Sequence, residues 1–484
     1  MINKPRYVCT DEFAVSSTTM VCGAFSSNWQ AVHSAAKNKS SISLLLFSCA
    51  TVVLVLSGCN KPDLRGAGPK DYPPDVAIAW IKMEQNLFVG TPGLLPHVTG
   101  RAHGYLGITL YESMAQGMPG YQSVASQLSG DLVLPTIQQG KQYLWPVCAN
   151  AALACMLKNL LPHAQPALLN AVDSLESELY RKFQDESNTN AMERSSAFGK
   201  EVAAAIFEWS KTDGGHEAYK NPFSDDYVSP VGDGKWVATG EFPFSQPVYP
   251  YWGNNRTFVP GLVGSTQPGP PPAYSEQPGS EFYKAVNEIY VMSQNLDHDD
   301  SLTAKFWAYD LLHPEDLAEY EDVSHAANIA TQIIIARKLS LQEAAVLYAK
   351  HAIALNDAGI SCVKTKFTYN LVRPITYIRT VLGHGEWHPV IHTPPFPEYT
   401  SAHAAISMAC AAVLEDSFGK DFAFTDHSFD NTYGPRSFAS LEAYAKEAAL
   451  SRLQGGIHYR FAMDEGLKQG KKVAALVDQL KFKK

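Results

Sequence analysis

Apolar and polar residues alternate with a helical period along most of the chain. Between residue 76 and about residue 211, the segments ALACMLKNLL, LLNAVDSLESELY and AFGKEVAAAIFEWS carry apolar residues at positions i, i+3, i+4 and i+7. The same period returns after residue 281, in ANIATQIIIARKLSLQEAAVLYAKHAIALNDAG and in EGLKQGKKVAALVDQLK. Strand-like alternation is scarce, so the sequence predicts an all-α fold built as a helical bundle.

A long segment without this period separates the two helical regions. Residues 212 to 280 are rich in Pro, Gly, Tyr and Trp, as in QPGPPPAYSEQPGS. A segment of this length inside a folded protein is either ordered over another surface or functional. We therefore predict an N-terminal helical unit together with this aromatic, Pro-rich loop at residues 76 to 280, and a C-terminal helical bundle at residues 281 to 484.

The start of the chain has the pattern of an export signal. Lys37 and Lys39 precede an apolar run from residue 42 to residue 56, which is long enough for the core of a signal peptide and short for a membrane span. The run ends in Leu-Ser-Gly-Cys at Cys59. This ending resembles the bacterial lipobox, in which a signal peptidase cuts before a lipid-modified cysteine.

The resemblance to a lipobox gives a localisation. It implies a leader at residues 1 to 59, followed by a flexible tether at residues 60 to 75. Residues 1 to 36 have the pattern of neither a leader nor a domain, which leaves open a start codon further downstream, for example at Met20. The mature protein would be a lipoprotein of the periplasm or the cell surface. Lipid on Cys59 would be its only attachment to a membrane.

Composition and charge exclude two other classes of protein. With 45% hydrophobic and 18% charged residues, the bulk of the chain has no signature of disorder. The net charge is −9, which disfavours nucleic acid as a partner. The cysteines that follow Cys59 have no metal-type spacing.

Two cations in KFTYNLVRP are candidates for binding an anion. Lys366 and Arg373 are seven residues apart, so on one helix they would lie within about 20° of each other and about 10 Å apart. Pro374 would end or bend that helix just past Arg373. Two solvated surface cations would give the same spacing.

The stretch PFPEYTSAHAAISMACAA places a hydroxyl and an imidazole where a helix should begin. Thr400 or Ser401 would be its N-cap, and the free N–H groups of a first helical turn form an anion site together with the helix dipole. Ser401 and His403 could hydrogen-bond an oxyanion there and exchange protons with it. A plain cap and a satisfied core histidine are the alternative.

The third stretch is SRLQGGIHYRF. Arg452 and His458 are six residues apart, which on an unbroken helix would set them about 120° apart. Gly455 and Gly456 between them are poor helix residues, and a bend at the two glycines would let both side chains face one point.

The three stretches together resemble the signature of one superfamily. The motifs K-x6-R-P, TSAH and S-R-x5-H, in this order, are similar to those of vanadium-dependent haloperoxidases and type 2 phosphatidic acid phosphatases. The flanks LVRPITYIR, HTPPFPEYTSAHAA and EAALSRLQGGIHYRFAMDEGLKQG look like bacterial haloperoxidase-like members. The resemblance is dense over about residues 350 to 475, and it is fainter over WVATGEFPFSQPVYPYWG and RAHGYLGITLYESM.

The resemblance implies a role for each candidate residue. The residues that it implies for binding a tetrahedral oxyanion are the cations Lys366, Arg373 and Arg452, the Ser401 hydroxyl and the backbone N–H of Ala402. If the anion is vanadate, His458 would ligate the metal and His403 would handle the protons of peroxide. If it is phosphate, His458 would form a phosphohistidine, while His403 would protonate the leaving oxygen and then activate water.

Two departures from the family pattern bear on the choice of reaction. Ala402 stands where the family usually has Gly, and its methyl group would cost roughly 1 kcal/mol if the position needed a positive φ. Ala462 stands where many of the phosphatases carry an Asp that orients the nucleophilic histidine. The missing Asp weakens the phosphatase mechanism more than the vanadate one, because a backbone carbonyl can orient a ligating histidine.

We therefore expect a haloperoxidase-like enzyme that uses vanadate, hydrogen peroxide and a halide. A periplasmic acid phosphatase that acts on phosphomonoesters without a cofactor is the alternative. A lipoprotein that binds phosphate or vanadate without turnover is the second alternative.

Overall fold

The computed structural model describes residues 66–241, 245–308 and 325–484. These residues all belong to one compact unit, Pro62–Lys484. The predicted leader, including Cys59 and its lipid, lies outside the described residues, as does the first part of the tether. The predicted boundary at residue 280 between an N-terminal unit and a C-terminal bundle stays a prediction.

Helices make up nearly all the regular structure of the described residues, which confirms the predicted all-α fold. Besides short 3-10 turns, the helices are α1 (Asp75–Gly90), α2 (Pro96–Glu112), α3 (Trp145–Leu160), α4 (Pro166–Lys182), α5 (Thr189–Ser210), α6 (Leu262–Thr266), α7 (Glu281–Ser293), α8 (His298–Phe306), α9 (His325–Ala336), α10 (Leu341–Tyr369), α11 (Pro374–Thr380), α12 (Ala402–Phe418), α13 (Leu441–Gln454) and α14 (Arg460–Val477).

In the part of the chain that the structure describes, the remaining strands form one short hairpin. Strands β1 (Phe424–Asp426) and β2 (Arg436–Phe438) pair antiparallel, with Thr425 opposite Ser437. Among the described residues, no helix has both the length and the apolar composition needed to cross a membrane.

Helix α10 is the central element of the bundle. A capping box starts it: the Ser340 hydroxyl accepts the Glu343 N–H, and the Glu343 carboxylate accepts the Ser340 N–H at 2.8 Å. The helix then runs for 29 residues and ends at Asn370, whose left-handed backbone (φ 49°) stops the helical hydrogen bonding. Helices α2, α12 and α14 all pack against it.

Glycines let two of these helix pairs approach closely. A Cβ on Gly107 of α2 would lie 2.6 Å from the Cβ of Ala352 in α10, and one on Gly470 of α14 would lie 2.3 Å from the carbonyl oxygen of Ala405 in α12. Any side chain at these positions would push the helices apart. The first turns of α12 thus pack tightly against α14, and α2 packs tightly against α10.

The irregular segment is ordered over α10 where the structure describes it. The backbone N–H groups of Phe258 and Val259 donate to the buried carboxylate of Asp357, at 2.8 and 2.9 Å. The Trp236 N–H donates to the Asn370 carbonyl at 2.8 Å. Of the two alternatives left open by the sequence, order over another surface is therefore observed for the described part of the segment.

Candidate active site

A cavity of about 470 Å³ is lined by residues of α2, α10, α12 and α13, and by Val248 and Trp252 of the irregular segment. Five of the seven residues predicted for the site line it: Lys366, Ala402, His403, Arg452 and His458. The other two, Arg373 and Ser401, are fully buried. Three stretches that are distant in sequence thus meet at one place.

Lys366 lies in the last turn of α10 and is almost completely buried. Its Nζ donates to three backbone carbonyls, those of Pro397 at 3.2 Å, Glu398 at 2.7 Å and Thr400 at 2.5 Å. Burial lowers the pKa of Lys366 to about 8. The ammonium group is therefore mostly charged at neutral pH, and it holds the segment that leads into α12.

Lys366 and Arg373 do not share a helix, contrary to the prediction. Asn370 ends α10 between them, and Arg373 is the extended N-cap of α11 (φ −80°, ψ 151°), with Pro374 as the first helical residue. Pro374 thus begins a helix instead of ending one. The two cations still converge, because the Lys366 Nζ and the Arg373 Cζ each lie 5.2 Å from the ring centroid of Phe396.

The Arg373 guanidinium is completely buried, and one of its nitrogens has no partner. Nε donates to the Phe396 carbonyl and Nη1 to the Ile457 carbonyl, both at 2.9 Å, and Nη1 also lies 3.3 Å from His458 Nε2. Nη2 has no hydrogen-bond partner among the described residues. Burial lowers the pKa of Arg373 to about 10, which leaves it charged at neutral pH. A buried charge with an unused donor is costly unless an anion pairs with it.

Ser401 is the N-cap of α12, and its hydroxyl accepts the Ala404 N–H at 3.5 Å. The Ser401 N–H donates to the Ala462 carbonyl at 3.1 Å, which anchors this helix start to α14. Ala402 is the first helical residue and does not have a positive φ. The expected cost of its methyl group therefore does not arise, because a helical backbone suits alanine.

His403 and Arg452 are joined through the backbone of Trp307. Arg452 Nη1 donates to the Trp307 carbonyl at 2.6 Å, and a hydrogen bond also links the His403 ring to the Trp307 backbone. Burial, and then the Arg452 charge, lower the pKa of His403 well below its usual range. The imidazole is therefore neutral at neutral pH and can accept a proton.

His458 is held by a carboxylate that sequence reasoning missed. Its Nδ1 lies 2.7 Å from Glu398 Oε1, which also accepts the Tyr459 N–H at 3.0 Å. We assign Nδ1 as the donor because the carboxylate oxygen already accepts from Tyr459. Nε2 is then the acceptor nitrogen, and in this structure its lone pair accepts a long hydrogen bond from Arg373 Nη1 at 3.3 Å. Gly456, in the turn after α13, adopts a positive φ of 81°, and this turn leads to His458.

Burial disfavours the charged form of both Glu398 and His458. It raises the pKa of Glu398 to about 7, although Lys366 and Arg373 both favour the carboxylate. It also lowers the pKa of His458 well below its usual range, with further lowering by Arg373 and Lys366. The imidazole is therefore neutral at neutral pH.

The expectation that His458 lacks an orienting carboxylate is wrong. Ala462 does leave the position four residues after His458 without one, but Glu398 supplies a carboxylate from a segment 60 residues earlier. The only local signal was a charged residue among apolar and Pro residues, in PPFPEYTSAH, directly before a helix start. Such a residue is almost never buried unless it is paired.

Comparisons with known proteins agree with this geometry. A family model described as the VCPO second helical-bundle domain matches residues 346–483. The crystal structure of a bacterial vanadium-dependent iodoperoxidase is similar with a TM-score of 0.73 and 30% sequence identity, over 84% of this chain and 96% of that chain. A search of curated proteins gives no match.

Two further structures share the fold alone. The holo-type bacterial vanadium-dependent chloroperoxidase is 18% identical with a TM-score of 0.60, over 83% of this chain and 97% of that chain. The apo-type form is 16% identical with a TM-score of 0.61, over 82% and 97%. Because the iodoperoxidase is 30% identical over 96% of its length, the chain belongs to the family of vanadium-dependent haloperoxidases and is a haloperoxidase-like enzyme.

Proposed function

We propose that the chain binds vanadate in this cavity and uses hydrogen peroxide to oxidise a halide. The observation that carries the proposal is the unused Nη2 donor of Arg373, a buried charged group beside the Nε2 atom of His458. Burying a guanidinium with a free donor is unfavourable, so the position calls for an anion. The iodoperoxidase similarity supports vanadate as that anion.

The donors around the cavity fit a tetrahedral oxyanion. Lys366, Arg373 and Arg452 supply three positive charges, and the N-terminus of α12 adds the positive end of its helix dipole. Lys366 would act through its charge alone, because its three N–H groups already donate to backbone carbonyls. Arg373 Nη2 can donate a charge-assisted hydrogen bond to an oxygen of the anion. His458 Nε2 supplies a neutral imidazole nitrogen of the type that binds metals. Vanadate, when bound, would supply a Lewis-acidic centre that activates peroxide towards attack by halide.

Glu398 keeps His458 ready to bind. Because Nδ1 donates to the carboxylate, the ring is fixed in the tautomer that leaves Nε2 as an acceptor. The low pKa of His458 keeps a proton off Nε2 at neutral pH. Glu398 is itself immobilised, since the Tyr459 N–H donates to its carboxylate and its own carbonyl accepts from Lys366.

His403 is the residue suited to accept the proton of peroxide. It lines the cavity with a neutral ring, and a bound oxyanion would offset the Arg452 charge that lowers the pKa of His403. The hydrogen bond to the Trp307 backbone fixes the ring orientation. Once protonated, the same ring can return the proton to a leaving oxygen, as general acid–base catalysis requires.

The test is halide oxidation by protein incubated with orthovanadate. With peroxide and bromide or iodide, the wild type should halogenate a phenol-red type dye, and His458→Ala should lose the activity. His427→Ala, which changes an exposed histidine, is the matched control. Vanadate should also raise the melting temperature of the wild type and not that of His458→Ala. No dye halogenation with either halide would refute the proposal.

One observation favours an acid phosphatase as the second candidate. A histidine that attacks phosphorus needs a carboxylate at Nδ1, and Glu398 occupies that position. Rapid quench with a labelled phosphomonoester should then trap an acid-labile adduct that is absent in His458→Ala. If neither reaction occurs and vanadate still raises the melting temperature, the protein is a non-catalytic oxyanion binder.

Export and lipid attachment remain proposals that rest on the leader sequence. The apolar run that ends at Cys59 supports an exported lipoprotein of the periplasm or cell surface. Labelled palmitate should be incorporated into the full chain in a bacterial host and not into Cys59→Ser. Equal labelling of the two proteins would contradict the proposal.

A further inference from the structure

The cavity is much larger than the oxyanion needs, and its remaining wall is mostly apolar. A tetrahedral anion has five heavy atoms, whereas the cavity measures about 470 Å³. Pockets of this size that are lined mainly by apolar and aromatic side chains typically bind organic molecules. The aliphatic residues that line it include Val248, Leu355, Val363, Ile391 and Ile406.

The cavity extends along one face of α10. Lys366, Val363, Gly359 and Asn356 all line it, and their spacing of three and four residues places them on one side of the helix. The ten residue steps from Asn356 to Lys366 span about 15 Å. The space therefore begins at the oxyanion site and continues for roughly three helical turns.

Among the described residues, no close contact explains why residue 359, in the middle of this face, is glycine. Of these residues, a Cβ there would meet only the Cδ1 atom of Ile406, at 3.9 Å, whereas a Cβ on Gly107 or Gly470 would clash with a neighbouring helix. Glycine destabilises a helix interior relative to alanine. The missing side chain instead leaves space in the cavity, about 10 Å along the helix from Lys366.

One part of the wall, near Lys366, is aromatic and uncharged. His97 at the start of α2 makes edge contacts with Trp252 at 5.5 Å and with Phe396 at 5.9 Å, measured between ring centroids. All three rings line the cavity. Burial, and then the charge of Lys366, lower the pKa of His97 to about 3, so the ring is neutral. Such a wall favours a flat, apolar guest over a charged one.

We propose that the cavity binds the organic acceptor of the oxidised halogen, an electron-rich aromatic molecule of about two fused rings lying along the Gly359 face of α10. This rests on the proposed halide oxidation. In the balanced reaction an aromatic C–H, a halide ion, hydrogen peroxide and one proton give the aromatic C–halogen product and two waters. Halide loses two electrons to peroxide, whose O–O bond breaks, and the displaced ring proton ends in water.

The first test is binding of 2-naphthol, measured by calorimetry without vanadate, halide or peroxide. The wild type should bind it, and Gly359→Phe should bind at least tenfold more weakly because the new ring occupies the space. Gly264→Phe is the matched control, since Gly264 is an exposed helical glycine with no atom near its Cβ position. The binding assay contains no vanadate, so its result can be interpreted even if the protein does not oxidise halide.

A second measurement needs no variant. In a mixture of 2-naphthol and 4-hydroxybenzenesulfonate, the vanadate-loaded enzyme should brominate 2-naphthol in a higher proportion than added hypobromite does, because the charged phenol does not suit an apolar wall. The proposal is overturned if the two product ratios are equal, if the wild type does not bind 2-naphthol, or if Gly359→Phe binds it as the wild type does.

Discussion

The Nδ1 atom of His458 lies 2.7 Å from Oε1 of Glu398, a residue 60 positions earlier in the chain. Both side chains are buried, and each resists charge, so the contact acts mainly to fix the tautomer and the direction of the ring. Either candidate reaction needs the lone pair of His458 Nε2 to point at the anion, in place of the 3.3 Å hydrogen bond that it accepts from Arg373 Nη1. The absence of a carboxylate at Ala462 therefore does not distinguish a haloperoxidase from a phosphatase.

Replacing Glu398 by Gln should reduce activity because an amide holds the imidazole less firmly and without charge. Loss of such a supporting hydrogen bond typically costs about 10- to 100-fold in metal affinity or activity. The measurement is the rate of halide oxidation as a function of vanadate concentration. Glu193→Gln, at an exposed position of α5, is the control. Rates within twofold of wild type would mean that the carboxylate does not support the ring.

Most of the site could be predicted from the sequence, because its residue types are characteristic of oxyanion binding. The local backbone conformation between these residues could not be predicted. The cations and histidines could be found because few other side chains bind or protonate an oxyanion. The break between Lys366 and Arg373 could not, since one left-handed residue, Asn370, overrides a helical spacing. Glu398 was missed because its partner is close only in the fold, and nothing in the local pattern indicates such a contact.

Replacing Ala402 by Gly, the residue usual in the family, should change stability more than function. Ala402 begins α12 with a helical backbone, so the glycine removes no strain and lowers helix propensity. We expect the free energy of unfolding to fall by up to about 1 kcal/mol. The affinity for vanadate should stay within twofold. Urea unfolding and vanadate titration measure the two quantities, and a tenfold gain in affinity would show that the methyl group obstructs the anion.

Oxyanion affinity should fall as pH rises past about 8. Burial lowers the pKa of Lys366 to about 8, so the cavity has this positive charge below that pH and loses it above. A bound anion favours the charged lysine, which shifts the fall to a somewhat higher pH. Vanadate dissociation constants at pH 6 to 10 should show this fall in the wild type and a shallower one in Lys366→Met. Comparing the two proteins cancels the titration of vanadate itself, and parallel curves would exclude Lys366 as the titrating group.

Replacing Arg373 by Lys should weaken oxyanion binding although the charge is kept. The guanidinium bonds two backbone carbonyls while Nη2 stays available, and an ammonium group cannot reproduce this planar arrangement. Leaving a buried carbonyl without a donor should cost roughly 1 to 3 kcal/mol of stability.

The dissociation constant for vanadate should also rise at least tenfold. At saturating vanadate, the ligand would then stabilise the folded protein by about 1.4 kcal/mol less than it stabilises the wild type. Urea unfolding with and without vanadate separates the two effects, with Arg181→Lys at an exposed position as the control. Equal stabilisation of Arg373→Lys and wild type by vanadate would place the anion away from Arg373.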